Sequence, residues 1–253
     1  MRSRRIAIIV LVLVAAVFTA GAGTCETGGE NSEILYIGKF SAAGTDREIP
    51  AGWEPLTFEK IDQHTRYRLV RDNETTVIKA KSDSSASGLI RKMRIDPRQY
   101  PVIQWRWKAT GIYENGDVTR KSGDDYPARL YIAFEYDPEK AGFFERAKFN
   151  IIEKIYGEYP PAGVINYIWA SRAAKGRIVP NAYTDRAQMI VLQSGRENTN
   201  TWVSESRNIL ADYRAAFGQE PPMIQGIAIM TDSDDTGESA VTYYGDIMMK
   251  SQQ

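Results

Sequence analysis

Residues 101–136 read PVIQWRWKATGIYENGDVTRKSGDDYPARLYIAFEY and decide the fold class. Apolar and polar residues alternate along residues 102–109 and again along residues 128–136, which is the period-two pattern of a half-buried β-strand. A polar connection rich in glycine and aspartate, which favour turns, separates the two runs. We therefore expect two β-strands joined by a long connection.

Most of the remaining chain alternates in the same way, with turn signals at intervals near the about 8 to 12 residues that are typical of β-sandwiches. Residues 72–74, Asp-Asn-Glu, separate two such runs and predict a hairpin. We expect a mainly β protein, a two-layer antiparallel β-sandwich that is jelly-roll-like and has about ten strands. Residues 34–253 are expected to form this single domain.

Two segments carry helical patterns and predict two inserted helices. Residues 139–156 place apolar side chains at helical spacing between charged ones, which predicts an amphipathic helix. Because its polar face mixes both charge signs, a helix that covers the sheet core is favoured over one on a membrane surface. A second helix is predicted at residues 209–217, where Asn208 can cap its start and Gly218 its end.

The N-terminus has the order of a secretory signal peptide. Three arginines among the first five residues precede an apolar run at residues 6–18, and small residues follow it. This run is shorter than the about 20 residues that a membrane-spanning helix needs. We predict a signal peptide at residues 1–22, a flexible tether at residues 23–33, and export to the bacterial periplasm.

Two alternatives concern the processing of this N-terminus. The apolar run could remain as an uncleaved membrane anchor, or Cys25 could carry the lipid of a membrane-anchored lipoprotein, although Thr24 is not the small residue that such a site prefers. Cys25 is the only cysteine, so the chain forms no internal disulfide and depends on its core for stability.

Charge and composition argue against a nucleic-acid partner. The chain has 32 Lys and Arg residues against 32 Asp and Glu residues, and its pI is about 6.6. Nucleic-acid-binding domains usually carry a basic patch and a pI above about 9. We therefore expect no nucleic-acid partner.

No catalytic set is visible. His64 is the only histidine, so zinc sites built from histidine and the Ser-His-Asp triad lack their residues. The nucleophile elbow, the phosphate-binding loop and the dinucleotide fingerprint are missing as well. We predict no catalytic residues and favour a non-catalytic protein.

Tryptophans in the predicted strands suggest a carbohydrate site, because the C–H face of a sugar stacks on an aromatic ring. Trp105 and Trp107 share one strand face, and Trp169 lies in a later strand. Burial in the core is the commoner role of aromatic residues on an apolar strand face. All three tryptophans remain candidate ligand-binding residues.

Three charged residues lie beside the second strand of the opening stretch. Asp124 and Asp125 precede this strand and Arg129 begins it, so they could meet Trp107 at one sheet edge. There they could supply hydrogen bonds to the hydroxyl groups of a glycan. The alternative is a turn stabilised by a surface ion pair, which is worth less than about 1 kcal/mol.

A possible calcium site lies near the C-terminus. Residues 232–237, DSDDTG, place acids and a glycine as in the opening of an EF-hand loop. The twelfth position is Tyr243 rather than the bidentate glutamate, and a plain hairpin turn is the favoured alternative. The candidate metal ligands are Asp232, Asp234 and Asp235, with calcium as the possible cofactor.

Several motifs together resemble a bacterial family known only as domain of unknown function 3047. They are, in order, WRWK, GDDYPARLYIAF, YIWA, DYRAAFG, IAIMTDSDDTG and YYGDI. The resemblance implies exported proteins of unassigned activity and transfers no catalytic residues. The last two motifs are also similar to the closing strands of jelly-roll carbohydrate-binding modules of the galactose-binding type.

We therefore expect an exported, non-catalytic domain that binds a glycan or another polyhydroxylated ligand. One alternative is a polysaccharide-degrading enzyme that uses carboxylates or tyrosine. A glycosidase of this kind needs two carboxylates that face each other across a cleft, about 5 to 9.5 Å apart. Another is a structural or assembly protein of the cell envelope, which would expose a large apolar patch.

Overall fold

The computed structural model describes residues 33–139, 142, 149 and 159–251. Within these residues the chain forms thirteen β-strands and one α-helix. The strands are β1 (Ile34–Gly38), β2 (Glu54–Leu56), β3 (Arg66–Asp72), β4 (Thr75–Asp83), β5 (Ala86–Ile95), β6 (Val102–Ala109), β7 (Arg129–Phe134), β8 (Gly163–Ala170), β9 (Ile178–Pro180), β10 (Ala187–Ser194), β11 (Val203–Asn208), β12 (Ile224–Asp232) and β13 (Ser239–Lys250), and the helix is α1 (Ile209–Phe217).

The strands form two sheets. The six-stranded sheet has the order β11-β6-β13-β4-β3, with β1 also paired to β13, and the seven-stranded sheet has the order β2-β5-β12-β7-β8-β10-β9. The predicted two-layer β-sandwich is confirmed. The prediction that all strands pair in an antiparallel manner is wrong for one pair, because β8 and β10 are parallel. Residues 171–186 between them are long enough for the crossover that a parallel pair needs.

The core lies between the two sheets and follows from strand alternation. Every second residue of β6 and β7 is buried there, namely Ile103, Trp105, Trp107, Ala109, Leu130, Ile132 and Phe134. The residues between them point to the outer faces. Both strands predicted in the opening stretch are therefore confirmed.

The connection between β6 and β7 folds over the outer face of the seven-stranded sheet. A second hydrophobic cluster joins Val118 and Tyr126 of this connection to Ile168, Met189 and Val191 of the sheet. The connection thereby brings its acidic residues next to the ends of β7 and β12.

Helix α1 begins and ends where the sequence predicts. The Asn208 side chain accepts a hydrogen bond from the Ala211 N–H at 3.0 Å, and Gly218 ends the helix with a left-handed φ of 69°. The helix predicted at residues 139–156 lies almost entirely outside the described residues and stays a prediction.

The N-terminal predictions also lie outside the described residues. These are the signal peptide at residues 1–22, nearly all of the tether, and Cys25. Among the helical segments that the structure does describe, none combines the length and the apolar character of a membrane span.

Candidate functional site

The three candidate tryptophans lie in the core. Trp105 is 3% exposed, and Trp107 and Trp169 are 0% exposed. The Trp107 ring lies 5.4 Å from that of Trp105 and 6.2 Å from that of Trp169, measured between ring centroids. No ring face is left for a sugar, so the prediction of a tryptophan platform is wrong, and Trp107 does not join the acidic residues at a sheet edge.

The indole of Trp107 is held by a partly buried carboxylate. Oε1 of Glu205 accepts hydrogen bonds from Trp107 Nε1 at 3.2 Å and from Gln193 Nε2 at 2.8 Å. Burial raises the pKa of Glu205 above its usual value of 4.5, against the opposing effect of both hydrogen bonds. The folded state therefore binds this proton more tightly than the unfolded chain, and the associated stability is lost as the pH rises through the folded-state pKa.

We expect Glu205→Gln to melt at a higher temperature than the wild type at neutral pH. Glutamine keeps an accepting oxygen and removes the partly buried charge. The difference should shrink as the pH falls, because the wild-type carboxyl, whose pKa is raised by burial, then takes up its proton. Melting curves recorded by circular dichroism at several pH values measure this, and a variant that melts below the wild type at neutral pH contradicts it.

Arg129 and Asp232 form a buried ion pair at the outer face of the seven-stranded sheet. Met230 lies opposite Arg129, so Asp232, two residues further along β12, extends from the same face. Arg129 Nε donates to Asp232 Oδ1 at 2.8 Å and Nη2 donates to Oδ2, and both residues are 3% exposed. The Tyr126 N–H also donates to Asp232, and the Tyr126 ring stacks on the guanidinium at 4.2 Å.

Asp124 and Asp125 reach this ion pair, so the three charged residues singled out in the sequence come together. Asp124 Oδ2 accepts a hydrogen bond from Asn181 Nδ2 at 2.7 Å. Asp125 is 0% exposed, and its Oδ2 accepts from the Thr236 N–H at 2.6 Å, whereas its Oδ1 has no hydrogen-bond partner among the described residues. The arrangement is a buried network rather than a turn with a surface ion pair.

The predicted metal ligands are divided by the structure. Asp232 and Asp234 come together with Asp125, and their carboxylate oxygens lie within 4.8 Å of one another. Asp235 instead accepts a hydrogen bond from the Tyr183 hydroxyl at 2.7 Å, and burial chiefly raises its pKa to about 6. Asp125 thus takes the place in this group that the sequence analysis gave to Asp235.

We call Asp124, Asp125, Asp232 and Asp234 the carboxylate cluster. Burial raises the pKa of Asp124 and Asp232, because desolvation disfavours the charged form, and the charge of Arg129 opposes this rise. The cluster can either retain protons or hold a cation.

The outer face of the six-stranded sheet carries a second feature, which the sequence analysis did not single out. Six basic side chains point outward there, and we call them the basic face: Arg66, Arg68, Lys79, Lys81, Arg106 and Lys108. Pairing of β3 with β4 sets Arg66 opposite Lys81 and Arg68 opposite Lys79. Like charges directly opposite each other destabilise a sheet.

Two partly exposed aromatic residues lie among these cations. Lys108 Nζ is 4.5 Å from the ring centroid of Tyr243 and 5.2 Å from that of Trp202, and the Arg106 guanidinium is 4.5 Å from the Trp202 centroid. Asp72 Oδ2 accepts hydrogen bonds from Lys108 Nζ and Trp202 Nε1, each at 2.7 Å. The bond from Lys108 is the main reason that the pKa of Asp72 is lowered.

The sequence contained a signal for the basic face. The predicted hairpin at residues 72–74 forms with a two-residue loop, and this loop fixes which residues of β3 and β4 are opposite each other. Arg68 and Lys79 are equally far from the loop, so their pairing follows from the turn. Tyr243, considered above as the twelfth position of a calcium loop, lies on this face and far from the carboxylate cluster in the fold.

The protein is thus a mainly β sandwich with two groups of charged side chains, the carboxylate cluster and the basic face. Each group lies on the outer face of a different sheet. Residues 51–248 match the family described as "Protein of unknown function (DUF3047)". This match covers most of the chain, which therefore belongs to that family, and the resemblance noted in the sequence is confirmed. No curated protein matches the chain.

Solved structures are similar to the chain at the level of the fold. The K1 cleaved adhesin domain of Lys-gingipain from Porphyromonas gingivalis W83 has 8% identity and a TM-score of 0.37, over 88% of this chain and 99% of that one. Endoglucanase 3 of family GH12 from Trichoderma harzianum has 9% identity and a TM-score of 0.39, over 89% and 99%. The Emp47p carbohydrate recognition domain has 8% identity and a TM-score of 0.39, over 90% and 100%. Such values carry no argument about function.

Proposed function

We propose that this protein is a non-catalytic binding protein for an acidic polysaccharide, which it contacts through the basic face. The observation that carries the proposal is the pairing of Arg66 with Lys81 and of Arg68 with Lys79 on neighbouring strands. The glycan ligand expected from the sequence is retained, but its site moves from the buried tryptophans to the outer face of the six-stranded sheet.

The two pairs lower the stability of the free protein, because like charges opposite each other repel. Basic residues on an edge strand also hinder edge-to-edge aggregation, and this role could explain the arginines of the edge strand β3. It does not explain the basic residues of β4 and β6, because these are inner strands of the sheet. An anionic ligand relieves the repulsion and gains charge-assisted hydrogen bonds. Positions that oppose local stability in this way are typical of functional sites.

A surface pocket adjoins the basic face. It is lined by Gln63, His64, Arg66, Lys81, Asp83 and Ser85. Two members of the basic face thus line a concave site, the shape in which proteins bind small groups such as one sugar unit. Trp202 and Tyr243 add ring surface among the cations, and amphipathic sugar rings can pack against such surfaces.

A glycan suits this face better than a nucleic acid does. The balanced charge and the pI of about 6.6 differ from those of nucleic-acid-binding domains. The predicted signal peptide would deliver the protein outside the cytoplasm, and we include export to the bacterial periplasm in the proposal. A carboxylate- or sulfate-bearing polysaccharide of the cell envelope or surroundings is the ligand class.

The double variant Arg68→Gln/Lys79→Gln is expected to lose at least tenfold in affinity for polygalacturonate. Each charge-assisted hydrogen bond is worth about 1.5–3 kcal/mol, and about 1.4 kcal/mol corresponds to tenfold. Its melting temperature should be unchanged or raised, since the substitution removes a repulsive pair. Isothermal titration calorimetry at low and high salt measures the affinity, with a neutral glucan as the comparison ligand.

The matched control is Arg98→Gln/Arg214→Gln, which removes the same charge from two exposed arginines outside the basic face. This control should bind polygalacturonate like the wild type. Equal losses in both double variants would mean that only net charge matters. Binding of DNA or anionic vesicles in place of every acidic polysaccharide would also show the proposal to be wrong.

A further inference from the structure

We propose that the carboxylate cluster binds one divalent cation, Ca²⁺, with Asp125, Asp232 and Asp234 as its protein ligands. Two of these residues belong to the segment at 232–237, and the third comes from the connection before β7. The site lies at the outer side of the seven-stranded sheet. Cation binding there does not depend on glycan binding at the basic face.

The unpartnered oxygen of Asp125 points to a missing partner of positive charge. Asp125 is 0% exposed, and within the part of the chain that the structure describes its buried Oδ1 has no hydrogen bond. A buried carboxylate oxygen without a partner is costly, and native structures seldom contain one without a bound ion or water to explain it. The other Asp125 oxygen already accepts from the Thr236 N–H, which orients this carboxylate beside Asp232 and Asp234.

The spacing of the oxygens suits calcium. Ca²⁺ binds oxygen ligands at about 2.3–2.6 Å, so two ligands on opposite sides of the ion are about 4.8 Å apart. One oxygen of each of the three carboxylates lies within 4.8 Å of the other two. Mg²⁺ usually keeps several water ligands and is held by one or two carboxylates, whereas Ca²⁺ accepts more protein oxygens.

The ion pair with Arg129 leaves room for this cation. An ionised carboxylate has about four lone-pair positions. Three of those on Asp232 are used, two by Arg129 and one by the Tyr126 N–H. Because the four carboxylates of the cluster outnumber the single guanidinium, a divalent cation balances charge that Arg129 leaves unbalanced.

A bound cation would join two connections of the chain. Asp125 belongs to the connection between β6 and β7, and Asp234 to the turn between β12 and β13. Hydrogen bonds already link these two segments, from the Thr236 N–H to Asp125 and from the Glu114 and Asn115 N–H groups to Glu238. Three shared ligands would fix them more firmly, so calcium should raise the melting temperature.

The test is calcium titration of the full-length protein by isothermal titration calorimetry, after treatment with EDTA and removal of the chelator. We expect one Ca²⁺ per chain with a dissociation constant between about 10⁻⁵ and 10⁻³ M. Calcium at 10 mM should raise the melting temperature by about 3 °C or more. Mg²⁺ should bind at least tenfold more weakly, and tighter binding of Mg²⁺ would overturn the assignment to calcium.

Variants distinguish this site from other acidic groups. Asp125→Asn keeps the size of the side chain and should abolish the calcium-dependent shift, and so should Asp234→Asn, which changes an exposed residue and should leave the fold intact. Asp185→Asn, at an exposed position elsewhere, is the matched control and should keep the shift. The proposal would be overturned if the wild-type protein gave no heat of calcium binding and no rise in melting temperature with calcium. It would also be overturned if the Asp234→Asn variant kept the full calcium-dependent rise in melting temperature.

Discussion

Replacing Asp232 with asparagine is expected to lower the free energy of unfolding by about 3–5 kcal/mol, because the buried Arg129 then loses the carboxylate with which it forms its ion pair. Both residues are nearly inaccessible to solvent. The other partners of the guanidinium are the Tyr131 hydroxyl and the Asp124 carbonyl, and neither neutralises its charge. Urea-induced unfolding in EDTA measures this effect without a contribution from bound cations.

Two further variants identify the cause of that loss. Arg129→Met/Asp232→Leu removes both charges and should recover much of the stability, since an apolar pair can replace a buried ion pair. Glu220→Gln breaks the exposed ion pair with Arg214 and should leave the urea midpoint unchanged. An Asp232→Asn protein that unfolds at the wild-type midpoint would show that Arg129 is stable without this partner.

The strands and the cap of α1 could be predicted because their signals are local. Alternation along residues 102–109 identifies which side chains share a face, and Asn208 with Gly218 brackets the helix. Alternation does not reveal which side of a sheet the second sheet covers. Alternation alone therefore makes Trp105 and Trp107 candidates for a surface platform and gives no reason to prefer the opposite face, which carries Arg106 and Lys108.

The candidate sites depend on contacts that no local pattern contains. Arg129 pairs with Asp232 across 103 residues of sequence, and this pairing requires the register of β7 on β12. The same register brings Asp125 rather than Asp235 to the metal-ligand group. The basic face differs, because a hairpin turn fixes its central pairs, and that turn was visible in the sequence.

Trp107→Ala is expected to lower the free energy of unfolding by about 3–5 kcal/mol, the usual cost of truncating a buried tryptophan. Trp107 is completely buried and packs against two other core tryptophans. The substitution leaves a cavity between the sheets and also removes a hydrogen-bond donor from Glu205. Urea-induced unfolding measures the loss, and Trp107→Phe, which leaves a smaller cavity, should lose less.

Trp202→Ala is the matched comparison, because Trp202 lies on the basic face and is only partly buried. It should lose about 1 kcal/mol of stability, from its contacts with cations and its hydrogen bond to Asp72. Its affinity for polygalacturonate should fall about tenfold, whereas Trp107→Phe should bind like the wild type. The opposite result, weak glycan binding by a stable Trp107→Phe protein and normal binding by Trp202→Ala, would return the ligand site to the core tryptophans and contradict the basic face.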